Sequence, residues 1–376
     1  MKRDIAIDYL RSSVTMLVVV HHSALAYNTF SRYNPGHYMT STAPVVDTVR
    51  WMPLDLIVGW NDMFFMPLMF FISGLFVSPS IERKGVGVFL VDRARRLGIP
   101  FIIAVTLLSP LAYYPSWLLS DAVSQGDFLP GFFTGIWSAG PAWFIWVLLA
   151  FCGVIAAVHR FIPNFIKMFT WSVASSRNLV FVFLVVSLLA TIPLRLIVSP
   201  GAWFQLAGPL AFQTWRILLY FSWFLLGVAL GGANMERSLS RVHLRPWPLW
   251  LFLGGFAYGV HGLLEAHGGY SANMPAWVTA VTLTTVYSCS CTFTGLAALG
   301  LARSFFRKAR PLVDHLTENA YGIYIFHYAF VIWIQFCLLT QSLPASFKFV
   351  ITFSVALVAS WLLTAMLRKT VARRFL

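Results

Sequence analysis

Charge is scarce in this sequence. Asp, Glu, Lys and Arg make up 11% of its 376 residues, against about 25% in a soluble domain. Such a chain cannot hold most of its surface in water, which excludes an ordinary soluble globular fold. Acidic residues are scarcer still, 13 against 27 basic. In a soluble protein the net charge of +14 would point to nucleic acid. Here the basic residues collect between apolar runs, as they do in the loops of membrane proteins, so no nucleic-acid partner is expected. Cysteine is limited to Cys152, Cys289, Cys291 and Cys337, all in apolar stretches. Cys289 and Cys291 are two apart and point to different faces of a helix. Neither a disulfide framework nor a metal site is expected from them. No sustained apolar–polar alternation is present, which argues against a membrane β-barrel. Linkers, low-complexity tracts and internal repeats are also lacking, so residues 1–376 read as a single domain.

What the sequence does have is long apolar runs. A spanning helix needs about 20 largely apolar residues, and ten segments qualify: Ile7–Tyr27, Leu56–Val77, Leu97–Leu119, Ala142–Val158, Leu179–Ser199, Trp215–Leu230, Trp247–Leu264, Trp277–Leu301, Ala320–Leu339 and Phe347–Leu367. The eighth is rich in Ser and Thr. In lipid each backbone polar group must be satisfied within its own segment. The expected fold class is therefore all-α: a polytopic integral membrane helix bundle of about ten transmembrane helices.

The connecting loops alternate in charge. One set carries Lys2, Arg3; Arg83, Lys84, Arg93, Arg95, Arg96; Arg160, Lys167, Arg177; Arg237, Arg241, Arg245; Arg303, Arg307, Lys308, Arg310; and Arg368, Lys369, Arg373, Arg374. Only Arg11, Arg32, Arg50, Arg195, Arg216 and Lys348 lie elsewhere; Arg195 and Arg216 read as helix ends on the sparse side. The excess of Lys and Arg in cytoplasmic loops then puts both termini in the cytoplasm and requires an even number of crossings. A rival reading of the first segment is a cleavable leader, from its basic start, the run Val14–Val20 and Ala24-Leu25-Ala26. Asp8 and Arg11 interrupt the segment before that run, and His21 and His22 follow it.

Ionisable residues inside spanning segments cost about 2.5–3.5 kcal/mol on insertion scales, and each is a functional hypothesis by default. Arg11 and His22 are eleven residues apart. On a helix that is three turns plus about 20°, one face, and about 16 Å along the axis. Arg11 then sits near the cytoplasmic surface and His22 near the far side. The same spacing also fits an arginine snorkelling to lipid phosphates and a histidine bonded to a neighbouring helix. His21 points about 100° away. Asp62 lies as deep as His22, where a carboxylate can orient an imidazole as in other acyl-transfer sites, cap the helix or bind water. Met and Phe in Phe64–Phe71 read as lipid and packing contacts. Arg93 and Arg96 are neighbours on one helix face, and paired guanidinium groups suit phosphate; ordinary cytoplasmic charge is the alternative. Tyr324 and His327, three apart near the end, form a polar pair on one face.

Together these pieces resemble the membrane acyltransferase-3 family. The matching features are Asp8-Tyr9-Leu10-Arg11 followed by His22; Phe70-Phe71-Ile72-Ser73-Gly74; Arg93 to Arg96 before Gly98-Ile99-Pro100; Trp143-Phe144; and Tyr321–His327. They run from the first segment to the ninth, and in their even spread look most like the branch of periplasmic glucan succinyl-transfer proteins. The middle region, Phe161–Met274, carries no match. The resemblance implies a multi-pass enzyme of the bacterial cytoplasmic (inner) membrane. It would take an acetyl or succinyl group from cytoplasmic acyl-coenzyme A, a donor substrate and not a resident cofactor, to a hydroxyl of a glycan or other cell-envelope acceptor. It further implies catalytic roles for His22 and Arg11, with Asp62 beside them, and donor binding by Arg93 and Arg96. Asp8, Trp143, Tyr324 and His327 are expected to line the cavity. Many relatives carry an extracytoplasmic hydrolase-like domain, which this sequence does not show, so a second transfer step is expected to need a partner. A secondary transporter or flippase of a polar solute or lipid-linked sugar is the rival class, since carriers also bury ionisable residues near a midplane site. A purely structural membrane protein is the third reading.

Overall fold

The computed structural model describes residues 4–124, 126–135, 137–174, 178–233, 244–266 and 275–375. Of the residues singled out above, Lys2, Arg3, Arg177, Arg237 and Arg241 lie outside them. The described chain is an all-α helix bundle. Its ten long helices are α1 (Ile5–Leu25), α2 (Pro53–Lys84), α3 (Val86–Leu118), α4 (Trp143–Phe161), α5 (Leu179–Ile197), α6 (Ile217–Gly232), α7 (Trp247–Ala266), α8 (Ala276–Phe305), α9 (Pro311–Leu338) and α10 (Ala345–Leu367). Among the described residues nine, α2 to α10, are long and apolar enough to cross a membrane. The first is as long but carries Asp8, Arg11, His21 and His22, which lower its hydropathy. It packs against α2, α8, α9 and α10, which turns His21 and His22 toward the bundle interior while the Arg11 side chain stays 43% exposed. The chain is thus a multi-pass membrane protein, and each of the ten apolar segments corresponds to one helix.

Local chemistry explains where the helices begin and bend. Asp4 caps α1 by accepting from the Ile7 amide at 3.2 Å. Prolines open α2 and α9 at Pro53 and Pro311, where a missing N–H costs nothing. The third helix starts eleven residues before its apolar run and contains two π-helical turns, Ala94–Gly98 and Ala104–Leu108. Glycine sets the closest helix contact. A Cβ on Gly74 would lie 2.2 Å from the Phe224 carbonyl, and one on Gly227 2.1 Å from that of Phe71, so α2 and α6 touch backbone to backbone. The polar face of α8 is turned inward. Ser288 bonds Thr191 at 3.0 Å, Ser290 bonds the Gly254 carbonyl at 2.9 Å, and Thr292 reaches Ser187 at 3.3 Å. Phe70 and Phe71, read above as lipid and packing contacts, are fully buried, packed against Phe151, Phe183, Tyr220 and Trp223.

The basic segments meet at one end. Arg303 pairs with Asp4 at 2.8 Å, Arg368 with Glu318 at 3.4 Å, and the Tyr321 hydroxyl donates to the Arg96 carbonyl at 2.7 Å. The other end carries a feature that length and periodicity did not reveal, a short antiparallel hairpin, β1 (Trp203–Gln205) paired with β2 (Ala211–Gln213). It also carries residues 28–52, within the longest polar stretch of the sequence, fastened by a buried ion pair between Asp47 and Lys348 at 2.7 Å.

Candidate active site

The site is built from the C-terminal turn of α1 upward. His21 and His22 both line a cavity of about 610 Å³, along with Asp62 from α2, Trp143 from α4 and Tyr324 and Tyr328 from α9. Its rim is formed by Met39–Thr42 and by both strands of the hairpin. Next to this rim, burial pushes the Tyr33 and Tyr38 hydroxyls above their ordinary value, and Tyr33 donates to the Ser116 carbonyl.

His22 is held on several sides. Its Nδ1 lies 3.1 Å from Nε2 of His327, and the Tyr328 ring meets it edge-on at 5.1 Å. Gln335 donates to the carbonyls of His22 and Ser23 at 3.0 and 3.2 Å, fixing the end of α1. Nε2 of His22 makes no hydrogen bond among the described residues and is not enclosed, which leaves it as the ring nitrogen open to the cavity. His21 stacks on Phe65 with ring centres 5.2 Å apart. Its Nδ1 is buried and makes no hydrogen bond among the described residues.

The expected partnership of Asp62 with His22 is corrected here. The Asp62 carboxylate instead accepts from Nη1 of Arg216 at 2.7 Å, and that guanidinium also donates to the Asp62 backbone carbonyl at 3.3 Å. Arg216 is not an exposed helix end. It is buried beneath Trp215 and Tyr287, 4.7 and 4.9 Å from their ring centres. A cation so enclosed needs an anion, so Asp62 turns to it, and the imidazole finds His327. The signal for Arg216 was its isolation from every basic loop. The contact between His22 and His327, 305 positions apart, left no trace in local spacing.

Arg11 and Asp8 sit elsewhere. They lie 3.6 Å apart near the basic end and do not line the cavity around His22, and neither does His327, which is fully buried behind that ring. Arg93 and Arg96 line a second cavity of about 600 Å³ at that end, with Arg83 and Lys84. The Asp92 carboxylate in its wall is paired with Lys84, and Arg93 lies 5.2 Å from the Phe89 ring centre. One face of α9 connects the two regions. Tyr321 bonds the Arg96 carbonyl, Tyr324 bonds the Pro141 carbonyl, and His327 bonds His22. From Tyr321 to His327 is about 9 Å along the helix.

The arrangement offers a nitrogen base in an aromatic-lined chamber at one end and a cluster of guanidinium groups at the other. A family profile described as an acyltransferase domain, that of acyltransferase family 3, matches residues 4–365. The comparison with curated proteins gives no match. Nor does any solved structure match.

Proposed function

Because the chain belongs to acyltransferase family 3, and so is a membrane acyltransferase rather than a carrier, we propose that it moves an acetyl or succinyl group from acyl-coenzyme A to a hydroxyl of a glycan or other cell-envelope acceptor. The observation that carries this reading is the placement of His22, whose only hydrogen-bonded ring nitrogen among the described residues is Nδ1, at the wall of a cavity large enough for a sugar unit. The basic end faces the cytoplasm by the excess of Lys and Arg there, in the bacterial inner membrane. Phosphates of the donor dock on Arg93 and Arg96, since guanidinium forks match phosphate oxygens. The thioester arm passes along the tyrosine face of α9 toward His22. His22 removes the proton of the acceptor hydroxyl as that oxygen attacks the thioester carbon. Arg11 acts from the basic side, and the aromatic walls, Trp143 among them, hold the acceptor.

The experiment is transfer of labelled acetyl from acetyl-coenzyme A by the purified full chain in detergent or nanodiscs, with a cell-envelope glycan extract as acceptor. His22→Ala is expected to lose roughly 10²–10⁴ in kcat, the contribution of a positioned base, while remaining monodisperse. A correctly inserted variant with full activity would falsify the assignment.

A further inference from the structure

The bond between His22 and His327 has a direction that can be read from the backbone. Nδ1 of His327 lies 2.7 Å from the Tyr324 carbonyl oxygen and 3.2 Å from that of Ile323. Carbonyl oxygens only accept, so that nitrogen carries a proton. His327 is fully buried, and no carboxylate bonds it among the described residues. Its ring is therefore neutral, because an unpaired charge there would be costly. A neutral imidazole with its proton on Nδ1 has a bare lone pair on Nε2. The 3.1 Å contact from that Nε2 to Nδ1 of His22 must then be donated by His22. His22 in turn holds its proton on Nδ1 and presents the lone pair of Nε2 to the cavity.

We propose that His327 is a positioning residue for the transfer reaction: a backbone carbonyl fixes its tautomer, and through it the tautomer of His22, so that the nitrogen facing the acceptor is always the basic one. The inference rests on the reading of His22 as the base. It extends that reading to a histidine that touches neither substrate. In the step itself the acceptor hydroxyl gives its proton to Nε2 of His22 as its oxygen bonds the acyl carbon. The carbon–sulfur bond breaks, and the departing thiolate takes the proton back from Nε2. The Nδ1 proton stays in place throughout, and the bond to His327 Nε2 strengthens while His22 is cationic. An acidic partner does the same for histidine in other acyl-transfer sites; here a second, backbone-anchored imidazole takes that part.

The test uses the full chain with ¹⁵N-labelled histidine in nanodiscs, the His22 signals being identified by their loss in His22→Ala. In the native protein His22 and His327 are both expected to be neutral with the proton on Nδ1. In His327→Leu, which removes the acceptor at similar volume, the Nε2-protonated form of His22 is expected to appear beside the Nδ1-protonated one, which the Val18 carbonyl one turn back still favours. Acetyl transfer from acetyl-coenzyme A should fall roughly 10–100-fold in kcat at unchanged KM, a part of what a positioned base contributes. The amide of His327→Gln overlays the lost Nε2 and should recover most of that rate. The shorter amide of His327→Asn overlays Nδ1 and should not. Native His22 protonated on Nε2, either ring doubly protonated at neutral pH, or equal rates for the Gln and Asn variants would each overturn the proposal. Absence of any acetyl transfer by the native protein would strike the proposed function alone, because the tautomer measurement needs no turnover. Should the Leu variant fail to fold, the native spectrum and the Gln–Asn pair still decide.

Discussion

At the scale of residues, the ion pair of Asp62 and Arg216 shows how an enclosed cation dictates its surroundings. The two members are unequal. The Arg216 side chain is 10% exposed and that of Asp62 42%, opening on the cavity. Removing the anion leaves a guanidinium enclosed with nothing to balance it, whereas removing the cation leaves a carboxylate that cavity water can reach. Asp62→Asn is therefore expected to destabilise more than Arg216→Met, by about 1–3 kcal/mol, the penalty for stranding a buried polar partner. Thermal unfolding of the two variants in one detergent measures the order. A lower melting temperature for Arg216→Met would mean that the pair exists to neutralise Asp62 instead. Arg11 and His22 could be singled out from the chain because each breaks a local pattern of hydropathy, and Arg93 and Arg96 because they are neighbours on one helix face. Arg216 broke a pattern too, as a basic residue on the sparse side, but its partners Asp62 and Tyr287 come from other helices. His327 was visible only as half of a pair with Tyr324, since its role depends on a residue on the first helix.

Among the helices, the glycines of α2 and α6 govern how closely the bundle closes. Cβ atoms at Gly227 and Gly231 would lie 2.1 and 2.0 Å from the carbonyl oxygens of Phe71 and Leu75, backbone atoms that cannot swing aside. Overpacking of this kind costs about 1–3 kcal/mol. Gly227→Ala is thus expected to lower the melting temperature and the yield of folded protein. Gly153→Ala, on α4, where a Cβ meets nothing within 4 Å, should be neutral or slightly stabilising, because alanine is the better helix former. Equal stability of the two variants would show that α2 and α6 can part without loss. Helix number and approximate bounds were legible because length and apolarity are properties of each segment alone. The early start of α3 was not, since Val86–Arg96 is too charged to read as spanning. The hairpin was not, since three residues a side fall below any periodic signal. The inward-turned Ser and Thr of α8 were noticed as a composition, but their bonds to Ser187, Thr191 and Gly254 come from helices packed around it.

On the scale of the whole molecule, the two cavities lie at different depths, one lined by His22 and rimmed by the hairpin, the other walled by Arg83, Lys84, Arg93 and Arg96. The alternation of loop charge along the chain foresaw this polarity, because the rule that concentrates Lys and Arg on one side acts on loops irrespective of how helices pack. The contacts that close the His22 chamber, His22 on His327 and Asp62 on Arg216, could not be foreseen, since they join segments 305 and 154 residues apart. The polarity carries a test of its own. If the arginine-walled cavity receives the phosphates of the donor, coenzyme A thioesters must arrive from the basic face. Inverted membrane vesicles given labelled acetyl-coenzyme A outside should then incorporate label, and sealed right-side-out vesicles should not. In the purified protein, Arg93→Gln with Arg96→Gln should raise KM for acetyl-coenzyme A by roughly tenfold or more, about 1.4 kcal/mol for each factor of ten. The kcat at saturating donor should stay near native, because the base at His22 is untouched. Incorporation by right-side-out vesicles alone would invert the molecule in the bilayer. An unchanged KM in the double variant would move the donor's phosphates away from this cavity while leaving His22 as the base.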